Sequence, residues 1–188
     1  MKELSHSEDR YDLGLLFTDG MPDLEDNQGF RGTIAARAAG ISYRQLDYWA
    51  RTGLVAPSIR SAAGSGSQRL YSFKDMLVLK VVKRLLDAGV SLQNIRVAVE
   101  YLRRRGVRDL AGVTLFSDGT TVYECSSPEE VVDVLRGGQG VFGIAVSGAM
   151  KEISGSIKDF PVERADGGTV EESPEDELSR RRARRAIS

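Results

Sequence analysis

The chain has 188 residues, a net charge of −1 and a hydrophobic fraction of 41%, a composition typical of a globular protein with one or two small domains. No apolar run approaches the roughly 18 residues that a membrane-spanning helix needs, and the acidic N-terminus lacks the apolar core of a secretory signal. The chain has one cysteine, Cys125, which cannot form a disulfide within the chain. It also has one histidine, His6, which argues against a histidine-based metal or catalytic site. We therefore expect a cytoplasmic protein with no metal, no cofactor and no catalytic residues.

Charge is distributed very unevenly along the chain. Residues 1–29 carry two Lys or Arg against eight Asp or Glu, a net charge of −6. Residues 30–106 carry fourteen against four, a net charge of +10, and residues 107–188 carry ten against fifteen, a net charge of −5. A compact basic block of this size is the electrostatic footprint of a polyanionic partner. The distribution favours nucleic acid as that partner over a chance collection of solvated basic helix faces.

The first predicted elements are two short helices. Residues 1–29 are acidic and lack periodicity, which is typical of a disordered segment, so we expect ordered structure from about Phe30. The run GTIAARAA (32–39) predicts a short helix that Gly40 ends, and SYRQLDYWART (42–52) predicts a second helix. Two helices joined by a tight Gly-containing turn are typical of a helix-turn-helix unit.

The helix predicted at 42–52 has two faces. A 3.6-residue period places Leu46 and Trp49 together, toward a core. Arginine binds base edges or phosphates, a Tyr hydroxyl donates to phosphate, and backbone N–H groups at a helix N-terminus favour phosphate. Taken alone, the pattern fits an ordinary amphipathic helix equally well. The candidate contact residues are Ser42 and Tyr43 at the N-terminus and Arg44, Tyr48 and Arg51 on the opposite stripe.

The next segments predict a wing and two longer helices. The run SIRSAAGSGSQRLY (58–71) predicts two short extended arms around the tip AAGSGS, with Arg60 on one arm and Arg69 on the other. The runs FKDMLVLKVVKRLLDAG and SLQNIRVAVEYLRRRG repeat apolar residues at helical spacing. Residues 30–106 therefore predict four helices plus a wing hairpin.

Residues 107–160 predict a small α/β module. The run TLFSDGTTVYEC alternates around Asp118-Gly119, the strongest short-range signal for a β-hairpin. SPEEVVDVLR begins with a capping box, VFGIAV predicts a buried third strand, and SGAMKEISGSI predicts a last helix. Residues 161–188 predict a disordered tail, first acidic and then basic. The predicted fold class is mainly α with small β, a winged helix-turn-helix domain followed by a small α/β module.

The order of these elements resembles the MerR family of transcriptional regulators. ISYRQLDYWARTGLVAP is similar to the family's recognition-helix segment, and QRLYSFKD is similar to the exit of its wing into an acidic-capped helix. LLDAGVSLQNI is similar to the leucine-rich helix and turn that follow. The resemblance covers about residues 32–100. It implies a sequence-specific regulator whose recognition helix, 42–52, lies in the major groove of double-stranded DNA and whose wing, 58–71, lies on the phosphate backbone.

The resemblance implies roles for particular residues of the recognition helix. Arg44 and Tyr48 fall where the family's recognition helix meets DNA. Asp47 stands where a basic residue is common, and two roles stay open for it. It accepts a hydrogen bond from a cytosine N4 group, or it orients Arg51.

The resemblance also implies contacts from the wing. Arg69 and Tyr71 fall at positions that the family uses against the DNA backbone. Arg60 and Ser61 lie on the opposite arm and add candidate phosphate contacts. Gln68 is a further candidate contact and replaces a Tyr that is frequent before the wing arginine.

The chain departs from the family after Gly106, where the usual long dimerisation helix is missing. A homodimer is still expected, because dimers read paired half-sites. The 107–160 module would dimerise, sense a ligand or contact another protein such as RNA polymerase. The alternative function is an architectural, excisionase-like DNA-binding adaptor whose C-terminal module docks a protein partner. The family's metal-sensing and thiol-sensing branches use clustered cysteines, which a lone Cys125 does not match.

Overall fold

The computed structural model describes residues 26–62, 68–118, 121–127, 130 and 141–168. The predictions for the acidic N-terminal segment, the tip of the wing, most of the capped helix in the α/β module and most of the charged tail lie outside these residues. Within the described part of the chain, no helix has the length and apolar character needed to cross a membrane.

The fold begins with strand β1 (Gln28–Arg31) and two short helices, α1 (Gly32–Ala39) and α2 (Tyr43–Arg51). Gly40 ends α1 with a φ of 75°, in the left-handed region that glycine adopts without a steric penalty. Its backbone N–H donates to the Arg37 carbonyl at 3.1 Å, and the chain turns directly into α2. The two predicted helices and the Gly-containing turn are confirmed.

Two longer helices follow, α3 (Phe73–Asp87) and α4 (Leu92–Arg104). Each begins after a capping serine whose hydroxyl accepts a backbone N–H three residues later, at 3.1 Å for Ser72 and 3.4 Å for Ser91. Their apolar faces form the centre of the core, as the periodicity predicts. The buried side chains include those of Met76, Leu77, Leu79, Val82, Leu85, Ile95, Val99 and Leu102.

β1 is the central strand of a three-stranded antiparallel sheet. Strand β2 (Leu70–Tyr71) pairs with the C-terminal half of β1, and strand β6 (Glu163–Arg164) pairs with its N-terminal half. Two expectations are corrected here. Ordered structure begins before Phe30, and a segment predicted to start a disordered tail returns to the sheet. The polar sequence VERADGG has no local strand pattern, and only pairing with β1, more than 130 residues earlier, makes it a strand.

The remaining described elements are a short helix and a second sheet with its helix. The strand order in that sheet is β4-β3-β5, with antiparallel pairing throughout. The predicted hairpin, third strand and last helix are confirmed, although the third strand is an edge strand whose residues alternate in burial. The elements are α5 (Val107–Leu110), β3 (Thr114–Ser117), β4 (Val122–Cys125), β5 (Phe142–Ala145) and α6 (Val146–Ile157).

α6 packs against α1 and α3, so that one hydrophobic cluster extends from Phe30 to Ile157. Glu152 on α6 accepts hydrogen bonds from Lys80 at 3.0 Å and from Arg84 at 2.5 Å. These two cations on α3, Lys80 first, hold the pKa of Glu152 below its ordinary value. The domain division at residue 106 stays a prediction, and in the described residues the core continues across it.

Candidate nucleic-acid interface

Burial separates the two faces of α2. Leu46 is 0% exposed and Trp49 is 4% exposed, so both lie in the core. Full burial of one such side chain stabilises a fold by about 1.5–3 kcal/mol, which fixes the orientation of the helix. Tyr43 and Tyr48, by contrast, are 55% and 57% exposed. We call the exposed side the outer face of α2, which consists of Tyr43, Arg44, Tyr48 and Arg51.

The N-terminus of α2 is closed by a capping box between Ser42 and Gln45. The Ser42 hydroxyl accepts the backbone N–H of Gln45 at 3.2 Å and donates to the Gln45 side-chain oxygen at 3.1 Å. The backbone N–H of Ser42 donates to the same oxygen at 3.0 Å. The sequence predicts a phosphate contact at Ser42 through its backbone N–H, but that group donates to Gln45 within the cap. The groups at this end that suit an anion are the backbone N–H groups of the first helical turn, at Tyr43 and Arg44.

Asp47 joins α2 to the second wing arm. Its Oδ1 accepts a hydrogen bond from Arg69 at 2.7 Å, and its Oδ2 accepts one from Arg51 at 2.5 Å. The hydrogen bond from Arg69, together with the charge of Arg51, holds the pKa of the Asp47 carboxyl below its ordinary value. The same hydrogen bond raises the pKa of the Arg69 guanidinium. We call these three residues the Asp47 clasp.

The first wing arm is held by the opposite arm and by the C-terminal segment. Arg60 and Leu70 form an antiparallel bridge, with the Leu70 N–H donating to the Arg60 carbonyl at 2.9 Å. The Arg60 guanidinium donates to the Gln68 carbonyl at 2.9 Å and to the Ala165 carbonyl at 3.3 Å. The predicted phosphate ligand Arg60 is therefore partly engaged within the fold. Ser61 and the Gln68 side chain are exposed on the two arms.

Tyr71 requires a correction. The resemblance places it against DNA, but its side chain is 0% exposed and its hydroxyl has no hydrogen-bond partner among the described residues. Burial raises the pKa of Tyr71 to about 12. The residue lies in β2, which is covered on both faces, and therefore supports the sheet from inside. Tyr71 does not reach a ligand on the surface of this structure.

Asp75 supports the interface from inside the fold, and the sequence predicts it only as the acidic cap of α3. Its Oδ2 accepts hydrogen bonds from the backbone N–H of Ser58 at 2.8 Å, the hydroxyl of Ser58 at 2.7 Å and the backbone N–H of Ser72 at 2.9 Å. This buried carboxylate therefore fixes the point where the first wing arm begins. The acidic residue three positions after Ser72 indicates the cap, but nothing in the sequence indicates the bond to Ser58.

Comparison with known proteins gives the family. A family profile described as MerR HTH family regulatory protein matches residues 30–102. Two proteins from strains of Mycobacterium tuberculosis and one from Mycobacterium bovis, each named an uncharacterized HTH-type transcriptional regulator, are 71% identical to the chain over 172 residues. The match covers 92% of this chain and 76% of each relative.

The chain belongs to the MerR family.

Membership in the MerR family confirms the resemblance found in the sequence. It makes the chain a non-enzymatic transcriptional regulator with a DNA-binding helix-turn-helix domain. The outer face of α2, the Asp47 clasp and both wing arms all lie within the matched residues. The second sheet, α6 and β6 lie beyond them.

More distant relatives include HmrR and two proteins named as heavy metal-dependent transcription regulators. The HTH-type transcriptional regulator HmrR of Sinorhizobium medicae is 30% identical over 83 residues, which is 43% of this chain and 54% of that relative. The heavy metal-dependent transcription regulator 1 of Rhizobium meliloti is 30% identical over 107 residues, which is 56% of this chain and 71% of that relative. Across the residues that the structure describes, no group of three or more His, Cys, Asp or Glu side chains is placed to hold a metal ion. Cys125 is buried, and this burial raises the pKa of its thiol.

Proposed function

We propose that this regulator binds double-stranded DNA sequence-specifically, with α2 in the major groove and the two wing arms along the phosphate backbone. The main observation that supports this proposal is the outer face of α2. Its arginine and tyrosine side chains project from a helix whose opposite side is anchored by Leu46 and Trp49. An α-helix fits the major groove, and an anchored helix loses little conformational freedom when it binds.

Arg44 is the side chain best suited to read a base. It is exposed on the outer face, and in the described part of the chain it has no ion-pair partner. A free guanidinium donates in a fork to O6 and N7 of guanine, the commonest specific contact in protein–DNA complexes. Tyr43 and Tyr48 lie on either side of it and suit phosphate contacts through their hydroxyl groups.

The wing arms suit the backbone rather than the bases. Ser61 and Gln68 are exposed there, and Arg60 and Arg69 keep N–H donors beyond those used inside the fold, as Arg51 does at the end of α2. Contacts of this kind set the register of a protein on the duplex but carry no sequence information themselves. Tyr71 is left out of the proposed contacts because it is buried.

A homodimer completes the proposal. One nine-residue helix contacts only a few base pairs, and helix-turn-helix proteins reach specific affinity by placing two such helices on half-sites about one helical turn apart. We expect the selected DNA site to contain two inverted half-sites. We also expect light scattering to give twice the mass of the chain. A monomeric mass together with a single asymmetric half-site would contradict this part of the proposal.

The test begins with selection of a binding site from random duplexes. Arg44→Ala is then expected to weaken binding to the selected site by about 1–3 kcal/mol and to relax preference at one base pair. Lys151→Ala is the control, because it removes one exposed positive charge from α6, a helix that packs on α1 and α3. It should leave the site preference unchanged.

Two outcomes count against the proposal. If Arg44→Ala and Lys151→Ala behave alike on the selected site, α2 does not read the sequence. If the unmodified protein binds selected and random duplexes equally at physiological salt, the architectural adaptor is the better description.

A further inference from the structure

We propose that Asp47 is a positioning residue that sets how well the protein discriminates its operator from other DNA, because it holds Arg51 and Arg69 in the clasp. The inference rests on the proposed function, since it assumes that the outer face of α2 meets DNA. It concerns a carboxylate beside that face, between Arg44 and Tyr48 in sequence, where bound phosphates would repel a negative charge.

The geometry shows which groups Asp47 already contacts. Its two carboxylate oxygens are each used by a different arginine, Oδ1 by Arg69 and Oδ2 by Arg51. Arg51 lies one helical turn further along α2, and Arg69 lies 22 residues away on the second wing arm. Of the two roles left open by the sequence, orientation of arginines fits this arrangement, and acceptance from a cytosine N4 group would compete with both ion pairs.

Charge explains why the clasp affects discrimination. The three side chains together carry a net charge of +1, whereas the two arginines without Asp47 carry +2. Free guanidinium groups bind phosphates on any sequence, and each phosphate neutralised adds about 0.9 to the slope of log affinity against log salt. Asp47 therefore limits the contribution that is the same for every DNA sequence.

The clasp also links two parts of the interface. The Arg69 side chain is only 20% exposed, and its guanidinium donates to Asp47 at 2.7 Å. Asp47 therefore holds the guanidinium in place, and it does not move freely in solvent. Arg69 reaches the backbone in the correct position only when α2 is seated correctly in the groove. A poor fit between α2 and the bases therefore also weakens the wing contact.

Asp47→Asn tests the inference, because it keeps the shape of the side chain and removes its charge. We expect tighter binding to random duplexes, a salt slope steeper by about 1 to 2, and a specific-to-random affinity ratio that is about tenfold lower. Asp47→Glu keeps the charge and should restore most of the ratio. In a protein that already carries Arg51→Ala and Arg69→Ala, Asp47→Asn should leave the ratio unchanged.

A second variant keeps the inference testable if Asp47→Asn does not fold. Arg69→Lys keeps the charge but replaces the planar guanidinium, so the ratio should fall while the salt slope stays the same. Thermal unfolding of each variant identifies any loss of fold.

Three results would overturn the inference. Loss of preference at one base pair only, with an unchanged salt slope, would make Asp47 a base-reading residue. An unchanged ratio in folded Asp47→Asn would remove it from discrimination altogether. An undiminished effect of Asp47→Asn in the background without both arginines would show that Asp47 does not act through the clasp. A wild-type protein with no preferred site would instead refute the proposed function.

Discussion

α2 and the wing arms belong to one proposed interface, but residues at very different distances along the chain hold them in place. α2 begins at a capping box whose two members, Ser42 and Gln45, are three residues apart, and its anchors lie within the helix itself. The first wing arm depends on Arg60, whose guanidinium reaches Ala165, 105 residues later in the chain. A short sequence is enough to orient a contact helix, whereas the arms acquire their positions only after the whole chain has folded.

The largest effect is expected for Trp49→Ala, which tests whether residues within α2 hold that helix in place. Trp49 is 4% exposed, and truncation of a buried tryptophan costs about 3–5 kcal/mol, because the remaining cavity is not refilled. We expect this loss in the free energy of unfolding, measured by far-UV circular dichroism in denaturant, and a matching loss of DNA binding.

Tyr48→Ala is the matched control for Trp49→Ala. It removes an aromatic ring from the same helix, but Tyr48 is 57% exposed. The free energy of unfolding should change by less than about 0.5 kcal/mol, while DNA affinity falls. Trp49, the single tryptophan of the chain, reports this unfolding by its fluorescence. Equal stability losses in the two variants would show that burial does not separate the faces of α2.

The same distinction explains which features the sequence predicts. The outer face of α2 follows from a 3.6-residue period and a cap, both contained within about ten residues. The burial of Tyr71 does not follow from the local sequence, because a two-residue strand is too short to show an alternation of polar and apolar residues. Its place beside β1, with the side chain buried, appears only in the folded chain. β6 has no local signal, since its partner strand lies at the other end of the described chain. Long-range pairing is the information that a single sequence lacks.

Removal of β6 tests the long-range half of the comparison. A chain ending at residue 161 loses the pairing with β1, the ion pair between Arg31 and Glu163, and the Ala165 carbonyl that holds Arg60. Each of these three interactions contributes a net of about 1 kcal/mol, so the free energy of unfolding should fall by about 3 kcal/mol. Amide exchange should accelerate in β1 and at the bridge between Arg60 and Leu70, because both lose a neighbour.

A chain ending at residue 168 is the matched control for that truncation. It keeps β6 and removes only residues 169–188, with the basic run RRRARR. Its stability and its exchange at β1 should equal those of the full chain. If the two truncated chains unfold at the same denaturant concentration, β6 does not support the wing.

Apart from the control variants, the smallest effect on stability is expected for Tyr71→Phe, at the point where the resemblance and the structure disagree. The Tyr71 hydroxyl is buried without a partner among the described residues, and such a group costs about 1–3 kcal/mol in desolvation. Its removal should therefore stabilise the protein by about 1 kcal/mol, in the opposite direction to the other two changes. DNA affinity at the selected site should not change, because the Tyr71 side chain is buried. Weaker binding by a folded Tyr71→Phe protein would mean that β2 turns outward in the complex. The wing arms would then be held less firmly than α2, despite their contacts with distant parts of the chain.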